Sequence, residues 1–306
     1  MNSQALSAAR AAGLTAEPPT AGAAPGAGLT TASSCIGALL LDAGKLTAEN
    51  AERVLRLQKE LGIRFGEAAV RLGLIDEEDV RQALARQFDY PYLRKGEAGL
   101  SPKLVAAYEP FSAQVEALRA VRSQLMLRWF GRGRRALALV GVDPADGVGL
   151  FAANLAIVFS QLGERTLLVD ANLRTPQQQD LFALAPRQGL SDVLAGRADL
   201  DAIVPVPAFL DLALLPSGTL PPNPQELLSR DGFGHLNTQL EGRYDVVLYD
   251  VAPFAAGVDA LAVSGRAGGA LLVARRHHTR LASVARMAEQ LSEAGADVVG
   301  SVVVDF

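Results

Sequence analysis

The sequence predicts an α/β chain: a parallel sheet with helices on both faces, preceded by a small helical domain. Three observations predict it. Near-continuous apolar runs at 136–142, 166–169, 210–215, 245–248, 269–274 and 298–304 alternate with helical stretches, the pattern of strands buried on both faces. A glycine-containing turn separates the first of these runs from the helix that follows it. Ahead of them all, residues 35–58 match residues 64–87 as an internal repeat.

Composition bounds the rest. The 306 residues carry 49% hydrophobic and 20% charged side chains, enough for a packed interior. A net charge of -4 offers no bulk basic field, so nucleic acid is not an expected partner. One cysteine, Cys35, excludes an intramolecular disulfide and any cysteine-cluster metal site, and fits a reducing compartment. No apolar run approaches the roughly 20 residues that span a bilayer. The expectation is a cytoplasmic protein without a membrane span of its own. The lysines are Lys45, Lys59, Lys95 and Lys103, so arginine supplies all fixed positive charge beyond residue 103.

In chain order, residues 1–33 are rich in Ala, Gly and Pro and read as a disordered leader. Residues 34–94 form a helical repeat module. Gly37 matches Gly66, Gly44 matches Gly73, Leu55 matches Leu84 and Gln58 matches Gln87. Each copy holds a short helix (36–42, 65–71), a glycine that ends it, and a second helix opening at Thr47 or Asp76 with a capping signal. Residues 95–110, with Gly96, Gly99 and Pro102, read as a linker. An amphipathic helix over 111–129 opens the main domain, 111–306. Helices are expected over 150–161 and 279–293, with strands at the apolar runs between.

The chemistry-bearing segments sit where these strands end. Gly141-Val142-Asp143-Pro144-Ala145-Asp146-Gly147-Val148-Gly149-Leu150 joins a strand to a helix, the place of a phosphate-binding loop, and makes Gly147, Val148, Gly149 and Leu150 the candidate nucleotide-binding residues. A working loop ends in Gly-Lys-Ser/Thr, the lysine meeting phosphate and the hydroxyl holding Mg²⁺. Val148 and Gly149 supply neither. Asp170, in Leu167-Leu168-Val169-Asp170-Ala171-Asn172-Leu173-Arg174, ends one strand. Asp250, in Tyr244-Asp245-Val246-Val247-Leu248-Tyr249-Asp250, ends another. Two strand-end carboxylates near a phosphate loop suit Mg²⁺ binding and proton abstraction.

These segments, with Glu116-x-x-Arg119-x-x-Arg122, Asn154-Leu155-Ala156, Pro216-Ser217-Gly218 and the 221–228 stretch, resemble the bacterial protein-tyrosine kinases of capsule and exopolysaccharide systems, a MinD-related branch of the P-loop NTPases. The resemblance covers about 111–306. It implies a P-loop NTPase-like fold, ATP and Mg²⁺ as cofactors, Asp170 as catalytic base with Arg174 beside it, and Asp250 together with Asp170 at the metal. It also implies homo-oligomerisation through Glu116, Arg119 and Arg122, and a membrane polysaccharide co-polymerase, a chain-length regulator, as the partner that recruits the chain to the inner membrane face. The chain departs from the family at Val148, at Gly149, at Asn172 (in place of a second acid) and in lacking a C-terminal tyrosine cluster, since its five tyrosines precede residue 250. A chain-length regulator with a degenerate ATP site is therefore expected. An active tyrosine autokinase, with arginine in place of the lysine, and a MinD-like or secretion-system adaptor are the alternatives.

The stretch Arg86-Gln87-Phe88-Asp89-Tyr90-Pro91-Tyr92-Leu93 is similar to the EpsG-type members of exosortase-linked clusters. The repeat module resembles the N-terminal domains of type II secretion and pilus ATPases, a subset of which bind cyclic di-GMP through paired Arg-Leu-Gly-type motifs. Here the second copy begins Arg64-Phe65-Gly66, making Arg64 the candidate contact, while the first begins Cys35-Ile36-Gly37. Protein docking is the expected role. His277-His278 shows no partner cluster for a metal, and Arg132, Arg134 and Arg135 read as a solvated entry to the first strand.

Overall fold

The computed structural model describes residues 35–87, 93 and 97–305. The leader 1–33 and most of the Phe88–Leu93 stretch lie outside the described residues.

The N-terminal module comprises α1 (Ile36–Asp42), α2 (Ala48–Leu61), α3 (Phe65–Arg71) and α4 (Glu77–Gln87). Both expected caps form. The Thr47 hydroxyl accepts the Asn50 amide at 3.2 Å, and the Asp76 carboxylate accepts the Asp79 amide at 2.7 Å while Asp79 accepts that of Asp76 in return. The matched glycines lie where the two copies meet. A Cβ on Gly37 would touch the Phe65 ring at 3.3 Å, and one on Gly66 would stand 2.8 Å from Val80 with Ile36 next nearest. Each copy thus places its leading apolar side chain against the other's glycine, around a core of Leu40, Leu46, Val54, Ala68, Ala69, Ile75 and Ala83.

The α/β part runs α5 (Val105–Tyr108), α6 (Ala113–Arg128), β1 (Ala136–Gly141), α7 (Val148–Ser160), β2 (Thr166–Ala171), α8 (Gln178–Leu181), α9 (Leu190–Leu194), β3 (Val204–Pro205), β4 (Leu212–Leu215), α10 (Pro224–Ser229), α11 (Asp231–Arg243), β5 (Val246–Val251), α12 (Asp259–Ala267), β6 (Gly269–Arg275), α13 (Leu281–Glu293) and β7 (Asp297–Val304). The strand order is β3-β4-β2-β5-β1-β6-β7. All neighbours are parallel except β3 and β4. The expectation of a parallel sheet is corrected at that edge, where the two-residue β3 turns back on β4; a Pro-containing pair has no periodicity to read, and proline is tolerated at a sheet edge.

Alternation along the central strands divides the core. Leu137, Leu139, Leu168, Val246 and Leu248 face α5, α6 and α7. Ala138, Val140, Leu167, Val169, Val247 and Tyr249 face α11, α12 and α13. Helix α7 is apolar all round and buried from Phe151 to Ser160, which is why its sequence reads as a continuous run rather than as an amphipathic stripe.

The described part of the expected linker, residues 97–110, is not free. Leu104, Ala106 and Ala107 are fully buried, and Tyr108 is nearly so with its hydroxyl donating to the Leu100 carbonyl at 2.9 Å. Asn154 of α7 holds the segment: its Oδ1 accepts the Ala106 amide at 2.9 Å, and its Nδ2 donates to the carbonyls of Lys103 and Leu150. Gln161 adds a bond to the Ala106 carbonyl at 3.0 Å. Its glycines and proline predict a linker, but the backbone of Lys103 and Ala106 is held by side chains from α7 and from the residue that follows it.

At the N-terminal ends of β1, β2 and β5, Asp245 accepts from Arg165 through three nitrogens, the backbone amide among them, and from Arg135 through one. The Arg165 hydrogen bonds, working against partial burial and helped by Arg135, hold Asp245 down at about 2.

Replacing Asn154 by Ala leaves the buried Ala106 amide without an acceptor. The expected loss is about 1–3 kcal/mol of stability in urea unfolding. A loss of only a few tenths would show that α5 is held by apolar packing alone.

Candidate active site

The parallel neighbours β2 and β5 bring the two strand-end acids side by side, with Asp170 and Asp250 paired in register. Asp170 shares a strand face with Leu168, and Asp250 with Leu248, so both carboxyls point toward α7. The loop after β1 enters α7 directly above them, because β1 is the other neighbour of β5. The crevice at the carboxyl ends of the central strands is therefore built from the three segments singled out in the sequence.

Gly147 caps α7 in a left-handed conformation, φ 70°, and the helix starts at Val148. Val148 is buried and makes van der Waals contacts only. Gly149 abuts the acids: a Cβ there would stand 3.0 Å from Asp250 Oδ2 and 3.3 Å from Gln178 Nε2. Leu150 lies inside the first turn of α7.

Both carboxyls are nearly inaccessible, Asp170 at 0% and Asp250 at 2%. Asp170 Oδ2 accepts the backbone amides of Gln177 at 3.1 Å and Gln178 at 3.0 Å, while its Oδ1 has no partner. Asp250 Oδ2 accepts Gln178 Nε2 at 2.7 Å. The same nitrogen donates to the Gly149 carbonyl at 2.9 Å. Burial pushes the Asp170 carboxyl above the ordinary carboxylate range against the pull of the Gln178, Gln177 and Asn172 amides. Burial, with the Asp170 charge beside it, pushes Asp250 up as well, and the Gln178 donor opposes this only in part.

Three residues that shape the site were not singled out in the sequence. Gln178, fully buried, sits in a run of glutamines that reads as a polar surface. Asp146, also fully buried, folds the loop on itself by accepting the amides of Val142 at 2.8 Å and Asp143 at 3.0 Å, and it accepts the Thr279 hydroxyl from the turn after β6. Asp259, at the start of α12, holds Arg174 through two hydrogen bonds of 2.7 and 3.0 Å. Arg174 is thereby paired with Asp259, whereas the resemblance implies a place for it beside Asp170. The Asn172 side chain binds Thr175, its Oδ1 accepting the Thr175 amide at 3.0 Å.

Other expected residues lie elsewhere. Arg64 is exposed at the start of α3, and Cys35 takes the matching place before α1 in the same extended conformation. On α6, Arg119 pairs with Glu116 one turn away, and Arg122 donates to the Val158 carbonyl at 3.0 Å. His277 and His278 occupy an exposed turn after β6, His277 with φ 59°. Among the described residues no group of three or more His, Cys, Asp or Glu side chains converges as a metal site.

Comparison with known proteins shows the family. The chain is 31% identical over 212 residues to the tyrosine-protein kinase YwqD of Bacillus subtilis, covering 69% of this chain and 90% of that protein. It belongs to the bacterial tyrosine-kinase family. Identity to the tyrosine-protein kinase wzc of Salmonella typhimurium is 35% over 201 residues, 66% of this chain. The aligned stretch spans only 28% of the length of that relative. Among solved structures, the kinase domain of the Escherichia coli tyrosine kinase ETK superposes with a TM-score of 0.64 at 31% identity, covering 66% of this chain and 79% of that one. The BceF tyrosine kinase domain gives 0.60 at 28% identity, covering 75% and 88%. No family model matches the chain.

The Mg²⁺ that the family resemblance implies does not fit the residues present. Gly149 offers no hydroxyl, Asp250 Oδ2 already faces an N–H donor, and burial disfavours the ionised pair that a divalent cation would need.

The acids make a pH prediction. Raised carboxyl pKa values mean that the folded state binds more protons than the unfolded one above the ordinary carboxylate range, so stability falls as pH rises from there toward neutrality and beyond. Asp250→Asn, which keeps an oxygen for Gln178, is expected to gain more than about 1 kcal/mol over the wild type at pH 8 and to flatten the decline in melting temperature between pH 5 and pH 8. Parallel curves for the two proteins would refute it.

Proposed function

We propose that this member of the tyrosine-kinase family serves as a regulatory, kinase-derived component of exopolysaccharide polymerisation and export, and does little or no phosphate transfer of its own. One observation carries the reading: the residues that should meet the nucleotide's phosphates and metal are Val148 and Gly149, and the space beside them is closed by the Gln178 amide. Phosphoryl transfer depends on cations that neutralise developing charge, and two buried carboxyls without a local cation oppose a triphosphate instead.

The acceptor side supports the same reading. The hydroxyl of Tyr249 is buried and donates to Asn237 at 2.7 Å, and that of Tyr108 is buried against Leu100. Of the tyrosines in the described residues, only Tyr244 is partly accessible.

In this role the chain acts at the inner face of the membrane, recruited by a membrane co-polymerase that sets chain length, as an EpsG-type member with a secretion-ATPase-like module for docking. No helix among the described residues is long and apolar enough to cross a membrane. The alignment over 90% of YwqD supports reading such a domain as able to work as a separate chain. The half-conserved repeat, with Arg64 but Cys35 opposite it, favours protein docking over cyclic di-GMP binding.

The decisive assay is transfer from labelled ATP to the chain and to a tyrosine polymer, in wild type and in Asp170→Asn. No labelling above background is expected in either. Robust wild-type labelling abolished by Asp170→Asn would establish an active kinase.

Self-association through α6 is a second expectation. Glu116 projects into solvent with its side chain 65% accessible, and Arg119 shares its face. Light scattering of wild type and Glu116→Arg should show the variant at lower mass wherever the wild type assembles. Equal masses there would remove α6 from the contact.

A further inference from the structure

One buried side chain at the crevice, Gln178, has a role that the family relationship does not account for. Gln178 is the first residue of α8, and it touches every part of the crevice. Its backbone amide binds Asp170, and its side-chain nitrogen binds both Asp250 and the Gly149 carbonyl. We propose that the Gln178 side-chain amide stands in for the divalent cation, bridging the first turn of α7 to Asp250, so that the closed site is complete without metal.

The orientation of the amide is determined by its partners. Both atoms in contact with Nε2 are oxygens, and one of them is a backbone carbonyl that can only accept. Turning the amide over would set its oxygen against that carbonyl, so the two N–H bonds must face Gly149 and Asp250. An NH₂ group with two oxygens at 2.9 and 2.7 Å does what a hard cation does there: it draws a loop oxygen and a carboxyl oxygen toward one centre. The cost shows on the other side of the group. Gln178 Oε1 and Asp170 Oδ1 are both buried and without a partner, an expense that a surface glutamine would not incur.

Gly149 leaves the room that the amide occupies. A side chain at 149 would begin 3.3 Å from Gln178 Nε2 and 3.0 Å from Asp250 Oδ2. A hydroxyl-bearing residue there and Gln178 in its present position compete for the same room. The absent hydroxyl and the inserted amide are therefore one structural exchange, in which Gln178 acts as a positioning residue for Asp250.

The proposal rests on the reading of this site as degenerate, and it is tested without nucleotide so that the two can fail separately. Mn²⁺ alone is the probe, added to the full chain and followed by calorimetry and thermal unfolding. The wild type is expected to show no melting shift in millimolar Mn²⁺. Gln178→Ala, which frees Asp250, Asp170 and the Gly149 carbonyl, is expected to bind Mn²⁺ at least tenfold more tightly than the wild type. Gln178→Glu, which places a third carboxyl in the crevice, is expected to melt at lower temperature than the wild type in chelator and to recover in Mn²⁺. Should either variant fail to fold in chelator, refolding on addition of Mn²⁺ supports the proposal and continued failure overturns it. Wild-type binding as tight as that of the variants, or no gain in either variant, also overturns it. Labelling from ATP bears on the functional reading alone, and nucleotide-free Mn²⁺ binding bears on Gln178 alone.

Discussion

The hydrogen bond from the Gln178 side chain to Asp250 is the contact around which the carboxyl ends of the sheet are arranged. Asp250 ends the central strand β5, between β2 on one side and β1 on the other, so whatever satisfies it must fit beneath the loop that follows β1 and beside the acid that ends β2. Two carboxyls taken out of water in adjacent register are costly, and their costs are offset separately: Asp170 by two backbone amides at the start of α8, Asp250 by one side-chain amide. A helix of four residues suffices for α8 because its task is to present those N–H groups.

The surrounding charges are arranged to leave this pair alone. Arg174, close by in sequence, is drawn away by Asp259. Asp146 turns inward to bind loop amides and the Thr279 hydroxyl, which ties the loop to the turn after β6. Each arrangement satisfies its members locally, and none delivers a cation to the acids. The opposite end of the sheet differs in kind. There Asp245 sits between Arg135 and Arg165, partly in solvent, and joins the starts of three strands with its carboxylate ionised down to about pH 2. Charge supports stability at the N-terminal ends of the strands and opposes it at the C-terminal ends.

Much of this was legible in residue order. The apolar runs marked β1, β2, β4, β6 and β7 to within a residue or two, and the caps at Thr47 and Asp76 placed α2 and α4, because local signals of this kind depend on near neighbours in the chain. The packing of residues 97–110 was not legible. Its glycines and proline carry the local signature of a connector, while the groups that satisfy its backbone, Asn154 and Gln161, lie some fifty residues further along. Gln178 was hidden for a similar reason: in a Pro-Gln-Gln-Gln run nothing distinguishes the one glutamine that is buried.

The sequence by itself determined the class of the fold, the family resemblance, and the absence of a lysine and a hydroxyl at Val148 and Gly149, since these are matters of residue type at a known spacing. It also placed Asp170 and Asp250 at the ends of strands. Only the tertiary structure decided that those strands are neighbours in register, that Arg174 belongs to Asp259, and that an amide from α8 fills the room left by Gly149. The reason is geometric. Strand order in a parallel sheet is set by crossovers that bring distant segments together, so the partners of a buried polar group are chosen by topology, and a linear pattern records the group without recording what it meets.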